Sequence, residues 1–145
     1  LPSSSGSLRV ATSDDLDLVA EWISQFEAEA LANIGTPSTK ASAARRIAAG
    51  EIYLWSDPEP RTMAASARPT KRAIAVNGVY TPREWRHRGY ATACVAALSE
   101  LLLRRGFELC VLYTDLSKDE IRALTVALDA LGEPISRVAG VVAAA

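Results

Sequence analysis

Arg86-His87-Arg88-Gly89-Tyr90-Ala91 is the part of this 145-residue chain whose residue types and order point to chemistry. It joins the end of a strand-like run to the start of an amphipathic, helix-like one. Glycine permits a positive φ or a close approach of the backbone, and the first amides of a helix have no partner inside it. With the helix dipole, those amides make a site for an anion, to which the nearby arginines add diffuse attraction. The chemistry suits a pyrophosphate. Neither GxxxxGK[ST] nor GxGxxG is present, so this is not a Walker loop or a dinucleotide fingerprint. By itself RxxGxA also serves as a tight connection between elements.

The surrounding charge agrees with an anion site. Residues 61–88 carry Arg61, Arg68, Lys71, Arg72, Arg83, Arg86 and Arg88 against Glu84 alone, in a chain whose net charge is −1. One basic segment within an acidic chain suits a small polyanion. A solvated hairpin with scattered arginines is the plainer alternative.

The elements that must position this segment follow from hydropathy spacing. Leu8–Ala11 reads as a short strand, and Ser13 as the cap of a helix with Asp14 and Asp15 at its positive end. Leu16, Val19, Ala20, Ile23, Phe26 and Ala30 follow helical spacing. After a loop over Asn33–Ser38, Thr39 or Ser42 starts a second helix, which Gly50 stops. Strands over Glu51–Trp55, Thr62–Ala67 and Ala73–Thr81 form an antiparallel meander, with turns at Asp57–Pro60 and Arg68–Arg72. Asn77-Gly78 lies inside the third of these and reads as a bulge. Helix, strand, helix and strand follow over Ala91–Arg105, Leu109–Tyr113, Asp119–Leu131 and Ile135–Val142. In the last helix Ile121, Leu124, Leu128 and Leu131 are expected to face inward. The fold class is α/β: a mixed central sheet, antiparallel meander first and βαβ second, flanked by about four helices. Residues 1–7 read as a flexible tail and 8–145 as one domain.

Composition narrows the functions. At 49% hydrophobic and 23% charged, the chain is neither disordered nor collagen-like, and no apolar stretch is long enough to span a membrane. Cys94 and Cys110 are too few for a disulfide scaffold, and His87 is the sole histidine. A metal site is therefore not expected, and a reducing cytoplasm fits best.

The segment and its flanks resemble the GNAT superfamily of acyl-CoA-dependent N-acetyltransferases. Its signature [RQ]xxGx[GA] is met by Arg86, Gly89 and Ala91. Val79-Tyr80-Thr81-Pro82 is similar to the family's bulged strand, Tyr90-Ala91-Thr92-Ala93 to its helix entry, and Leu112-Tyr113-Thr114-Asp115-Leu116 to the strand end across the cleft in one bacterial subgroup. The resemblance implies acetyl-CoA as cosubstrate, its pyrophosphate held by the amides of His87, Arg88, Gly89, Tyr90 and Ala91, with the Thr92 hydroxyl in support. It implies that the backbone of Val79 and Thr81 pairs with the pantetheine arm. The thioester then reaches the gap between strands ending at Tyr80 and Leu112, where an amine attacks directly. The acceptor is an amine of a small molecule or peptide, in a pocket built by the first two helices and their loop, Gln25–Lys40, and the last two strands. Glu27, Glu29 and Asp115 are the acids that could draw a cationic amine or serve as base, Asp115 being a catalytic candidate; for the two glutamates, solvated helix acids are the plainer reading. No nucleic-acid or membrane partner is expected, and the protein is read as a monomer or homodimer.

Two departures from the pattern bear on catalysis. The subgroup often has glycine where His87 stands. The family's asparagine and tyrosine, seven and four residues before the closing glycine, are replaced by Thr125 and Leu128, so its frequent proton donor to the thiolate is missing. Tyr113 is the candidate substitute acid, and Leu128→Tyr is expected to restore rate. Replacing Gly89 with valine is expected to abolish cofactor binding and leave the fold intact. The alternative function is a CoA-binding module with little or no turnover. A nucleic-acid binder on the basic segment lacks interleaved aromatics, since only Tyr80 and Trp85 lie nearby.

Overall fold

A computed structural model describes residues 5–30, 37–67, 69–113, 118–132 and 138–141. In chain order the elements are β1 (Ser7–Val10), α1 (Leu16–Ala30), α2 (Lys40–Ala48), β2 (Ile52–Ser56), β3 (Pro60–Ala67), β4 (Ala73–Tyr80), α3 (Tyr90–Arg104), β5 (Leu109–Tyr113), α4 (Lys118–Ala130) and β6 (Val138–Val141). The strands form one sheet in the order β1-β2-β3-β4-β5-β6. Pairing is antiparallel from β1 to β4 and parallel for β4–β5 and β5–β6. The expected meander followed by βαβ is the observed topology.

Alternation along the strands divides the core into two. Tyr53 and Trp55 of β2 point to one face with Val76, Leu98 and Leu112. Ile52 and Leu54 point to the other with Val19, Ile23 and Ile47. A strand buried on both faces reads as a continuous apolar run, as β2 does. Helices α3 and α4 cover the first face; α1 and α2 cover the second.

Several boundaries differ from those read in the sequence. Thr12, not Ser13, caps the first helical segment, which opens with a 3-10 turn over Ser13–Asp15. The cause is Asp15: its carboxylate accepts the Thr12 amide at 2.8 Å and two guanidinium bonds from Arg9 at 2.7 and 2.9 Å, a reach-back typical of this position. Of the two starts read for α2, Thr39 is the cap, its hydroxyl accepting the Ser42 amide at 3.0 Å. Leu131 follows the end of α4 and is exposed, where an inward side chain was expected; Leu124 and Leu128 are buried. Ser7 belongs to β1 and the Ser5 hydroxyl bonds Asp57 at 3.0 Å, so the near end of the expected tail is held. Residues 1–4 lie outside the described residues, as do most of the first interhelical loop and residues 135–137 of the expected last strand.

Candidate active site

The sheet opens where the sequence places a bulge. Met63 pairs with Tyr80 and Ala65 with Asn77, so β4 carries one residue more than β3 across this interval. Gly78 takes a φ of +60°, a conformation that glycine adopts without strain. On its other side β4 pairs with β5 only from Ala73–Leu109 to Val76–Leu112. Beyond that point β4 runs on to Tyr80 beside β3, while β5 continues to Tyr113 beside β6. The two parallel strands have parted, and the backbone groups facing the gap are not used by the ladder.

The chain leaves β4 through Thr81, Pro82 and a short 3-10 turn over Arg83–Trp85, then enters α3 at Gly89. Gly89 is the residue before the first helical one, with φ +84°, and its carbonyl accepts the first intrahelical bond, from the Ala93 amide at 3.0 Å. The amides of Tyr90, Ala91 and Thr92 in the first turn have no helical acceptor and carry the positive end of the dipole. His87 has a φ of +63° and is the non-glycine residue with positive φ among those described. Its imidazole is exposed, so a loop built for glycine holds histidine with its side chain turned to solvent.

Side chains fix the loop from both flanks. Arg86 does not stand free for an anion. Its Nε donates to the Thr81 carbonyl at 2.6 Å, and Nη2 donates to both Glu29 carboxylate oxygens at 3.0 and 2.8 Å. That ties the loop to α1, and the Arg86 hydrogen bonds hold the Glu29 carboxyl below the usual carboxylate range. Arg83 also approaches Glu29, at 3.6 Å. Glu29, read in the sequence as an acid that could draw a cationic amine, is thus committed to arginines. On the opposite flank the Tyr90 hydroxyl donates to Asp57 at 2.9 Å. Arg61 and Arg88 lie over the Trp85 indole, at 3.7 and 5.1 Å from its centroid. The Arg86–Glu29, Tyr90–Asp57 and Arg61–Trp85 contacts join residues far apart in sequence, and no local spacing announces them.

The remaining candidates fall into place unevenly. Val79 packs against the α3 face, whereas Tyr80 turns to the α1 face, its ring 6.2 Å from Trp22 and its hydroxyl donating to Gln25 at 2.7 Å. Burial, chiefly, raises the Tyr80 phenol above its ordinary value. Thr81 is buried, its hydroxyl 2.8 Å from that of Thr62. Ala91 and Thr92 are half-buried in the first turn of α3. Tyr113 closes β5, and Asp115 lies outside the described residues. Leu128, which the resemblance set at a tyrosine's position, is fully buried in one cluster with Leu98, Leu102 and Leu124. Among the described residues no group of three His, Cys, Asp or Glu side chains could hold a metal ion, and no helix is long and apolar enough to cross a membrane.

No family model matches the chain, and no curated protein matches it by sequence. Solved structures do match. A GCN5-related N-acetyltransferase from Ralstonia eutropha JMP134 superposes with a TM-score of 0.59 at 18% identity, covering 75% of this chain and 83% of that one. The PaiA N-acetyltransferase of Thermoplasma acidophilum, in complex with coenzyme A, gives 0.62 at 14% identity, with 77% and 80% covered. N-acetylglutamate synthase from Neisseria gonorrhoeae, complexed with coenzyme A and N-acetyl-glutamate, gives 0.68 at 14% identity; 83% of this chain matches 28% of that larger one. A parted β4–β5 pair, a bulged β4 and a glycine-capped α3 are thus assembled on a shared scaffold: the chain has the fold of the GCN5-related N-acetyltransferases.

Proposed function

We propose that this protein is an acetyl-CoA-dependent N-acetyltransferase, and that it acts on an amine of a small molecule or peptide. The observation that carries the reading is the parting of β4 from β5 beyond Val76 and Leu112, directly upstream of a loop that presents free helix amides. The free edge of β4 beyond the bulge offers backbone donors and acceptors to an extended, amide-containing arm. The amides from His87 to Ala91, with the Thr92 hydroxyl, suit a pyrophosphate. An acceptor amine would attack the thioester carbonyl carbon; the C–N bond forms, the C–S bond breaks, and the thiolate takes up a proton. Amides along the parted strands would stabilise the developing oxyanion.

A second reading, a CoA-binding module with little turnover, is favoured by one observation: Leu128, where the resemblance puts the family's usual acid, is a leucine with none of its surface exposed. Two measurements decide between them. Acetyl-CoA at about 100 times its dissociation constant should stabilise the fold by about 2.7 kcal/mol. Thiol release on addition of an amine panel then reports transfer. Stabilisation without thiol release supports the module; absence of both removes the two readings together.

A further inference from the structure

We propose that Asp57, in the turn between β2 and β3, is a positioning residue for CoA: through Tyr90 it holds the first turn of α3 in the orientation that presents its free amides. The proposal rests on the acetyl-transfer reading and names a residue outside the loop that sets the loop's affinity. Helix α3 needs a hold from outside. It starts at Gly89 with no side-chain cap bond and no acid in its first turn. A capping side chain would have satisfied one of the free amides. Without one the amides stay open to an anion, but nothing within the helix fixes how its entry is turned. His87 and Gly89 are both left-handed, and glycine loses more conformational freedom on ordering than any other residue. A loop ordered only on binding costs affinity, and one held in place beforehand does not.

The β2–β3 turn supplies the hold. Tyr90 is the first residue of α3; its ring packs against the α3-face core and its hydroxyl donates to Asp57 at 2.9 Å. A hydrogen bond to a carboxylate is stronger than a neutral one, and this bond, chiefly, raises the Tyr90 phenol above its ordinary value. Asp57 is itself fixed. Its amide donates to the Glu59 carbonyl at 2.8 Å and its carbonyl accepts Arg61 Nε at 3.1 Å. The Ser5 hydroxyl lies 3.0 Å from both of its carboxylate oxygens. The Arg61 guanidinium in turn lies over Trp85. The turn thus grips the chain before the loop at Trp85 and after it at Tyr90, and Arg86 to Gly89 are strung between the two. An acid beside an anion site opposes binding through its charge, so what Asp57 contributes is its bond to Tyr90.

The test is calorimetric titration of the full chain with CoA. Tyr90→Phe, which removes one oxygen and keeps the ring in the core, should weaken CoA binding by about tenfold, the worth of one hydrogen bond to a charged group. Asp57→Ala should do the same. Asp57→Asn, whose amide oxygen still accepts the phenol, should bind CoA as tightly as the parent. The double variant of Asp57→Ala and Tyr90→Phe should bind no more weakly than either single one, because each removes the same bond. A general loosening of the fold would instead give losses that add, and asparagine would not restore them. Additive losses, an Asp57→Asn as weak as Asp57→Ala, or a Tyr90→Phe that binds like the parent would overturn the proposal. Tighter binding by both Asp57 variants would also overturn it, since Asp57 would then act by its charge. A parent that does not bind CoA strikes the acetyl-transfer reading, and the proposal falls with it; a parent that binds while its variants are unaffected strikes the proposal alone.

Discussion

Gly89 and His87 both take left-handed backbone, and they tolerate it differently. An L side chain in that region costs about 1–2 kcal/mol, with asparagine the mildest case. At position 89 the strain adds to any obstruction of an anion by the new side chain. Gly89→Val therefore does not separate binding from folding, contrary to what the sequence alone suggests. Stability in urea should fall from the parent through Gly89→Asn and then Gly89→Ala to Gly89→Val. The alanine change should cost about 1 kcal/mol, and acetyl-CoA affinity should fall with side-chain size. Equal stability of the parent and all three variants would show that the loop relaxes out of the left-handed conformation. The arginines divide as sharply. Arg88 is exposed and lies on Trp85, whereas Arg86 binds Glu29 and the Thr81 carbonyl. Arg88→Ala should thus weaken acetyl-CoA binding mainly at low salt. Arg86→Ala should do so at every salt concentration, because it frees the loop from α1. Titrations at two ionic strengths distinguish the two.

At the scale of the element, most of the fold was legible because each segment carries its own period. The continuous apolar run of β5 gave a buried parallel strand, and the awkward Asn77-Gly78 gave the bulge. What the periods could not give was the partner of each cap. Ser13 looked like the cap because it precedes Asp14 and Asp15, but the decision belonged to Arg9 in the preceding strand, which draws Asp15 back over Thr12. The same bond holds the Asp15 carboxyl down at about 2, chiefly through the Arg9 hydrogen bond. An unfolded aspartate titrates near about 3.9, so the stabilisation is fully present above about pH 5. It is lost as the pH falls from about 4 through 2. Because Arg9 is partly exposed, solvent screening leaves about 1 kcal/mol of it. Asp15→Asn should lower stability by about that amount at pH 7 and flatten the stability profile below pH 4. An unchanged acid limb in urea melts would show that the pair contributes nothing.

Across the whole molecule, the sheet separates two cores, one beneath α3 and α4 and one beneath α1 and α2. The α3/α4 side is filled by large aliphatic side chains, and Leu128 sits in it with none of its surface exposed. On the α1/α2 side the bulge residues Asn77 and Gly78 wall a cavity of about 210 Å3. Sequence spacing put Leu128 on the inward face of α4, as observed, and the family resemblance set it at a tyrosine's position; which side chains surround it is revealed only by packing. The expectation that Leu128→Tyr would restore rate consequently changes sign. A phenol forced into a filled core costs about 1–3 kcal/mol through overpacking, and its hydroxyl, if left without a partner, adds about 1–3 kcal/mol more. Leu128→Tyr should unfold at lower urea and show no gain in thiol release with any amine that the parent uses. Leu128→Met, close in volume, should cost under about 1.5 kcal/mol and leave the rate unchanged. A faster Leu128→Tyr enzyme of undiminished stability would mean that α4 turns this position toward the gap between β4 and β5, and the missing acid would then be the reason for any slowness of the parent.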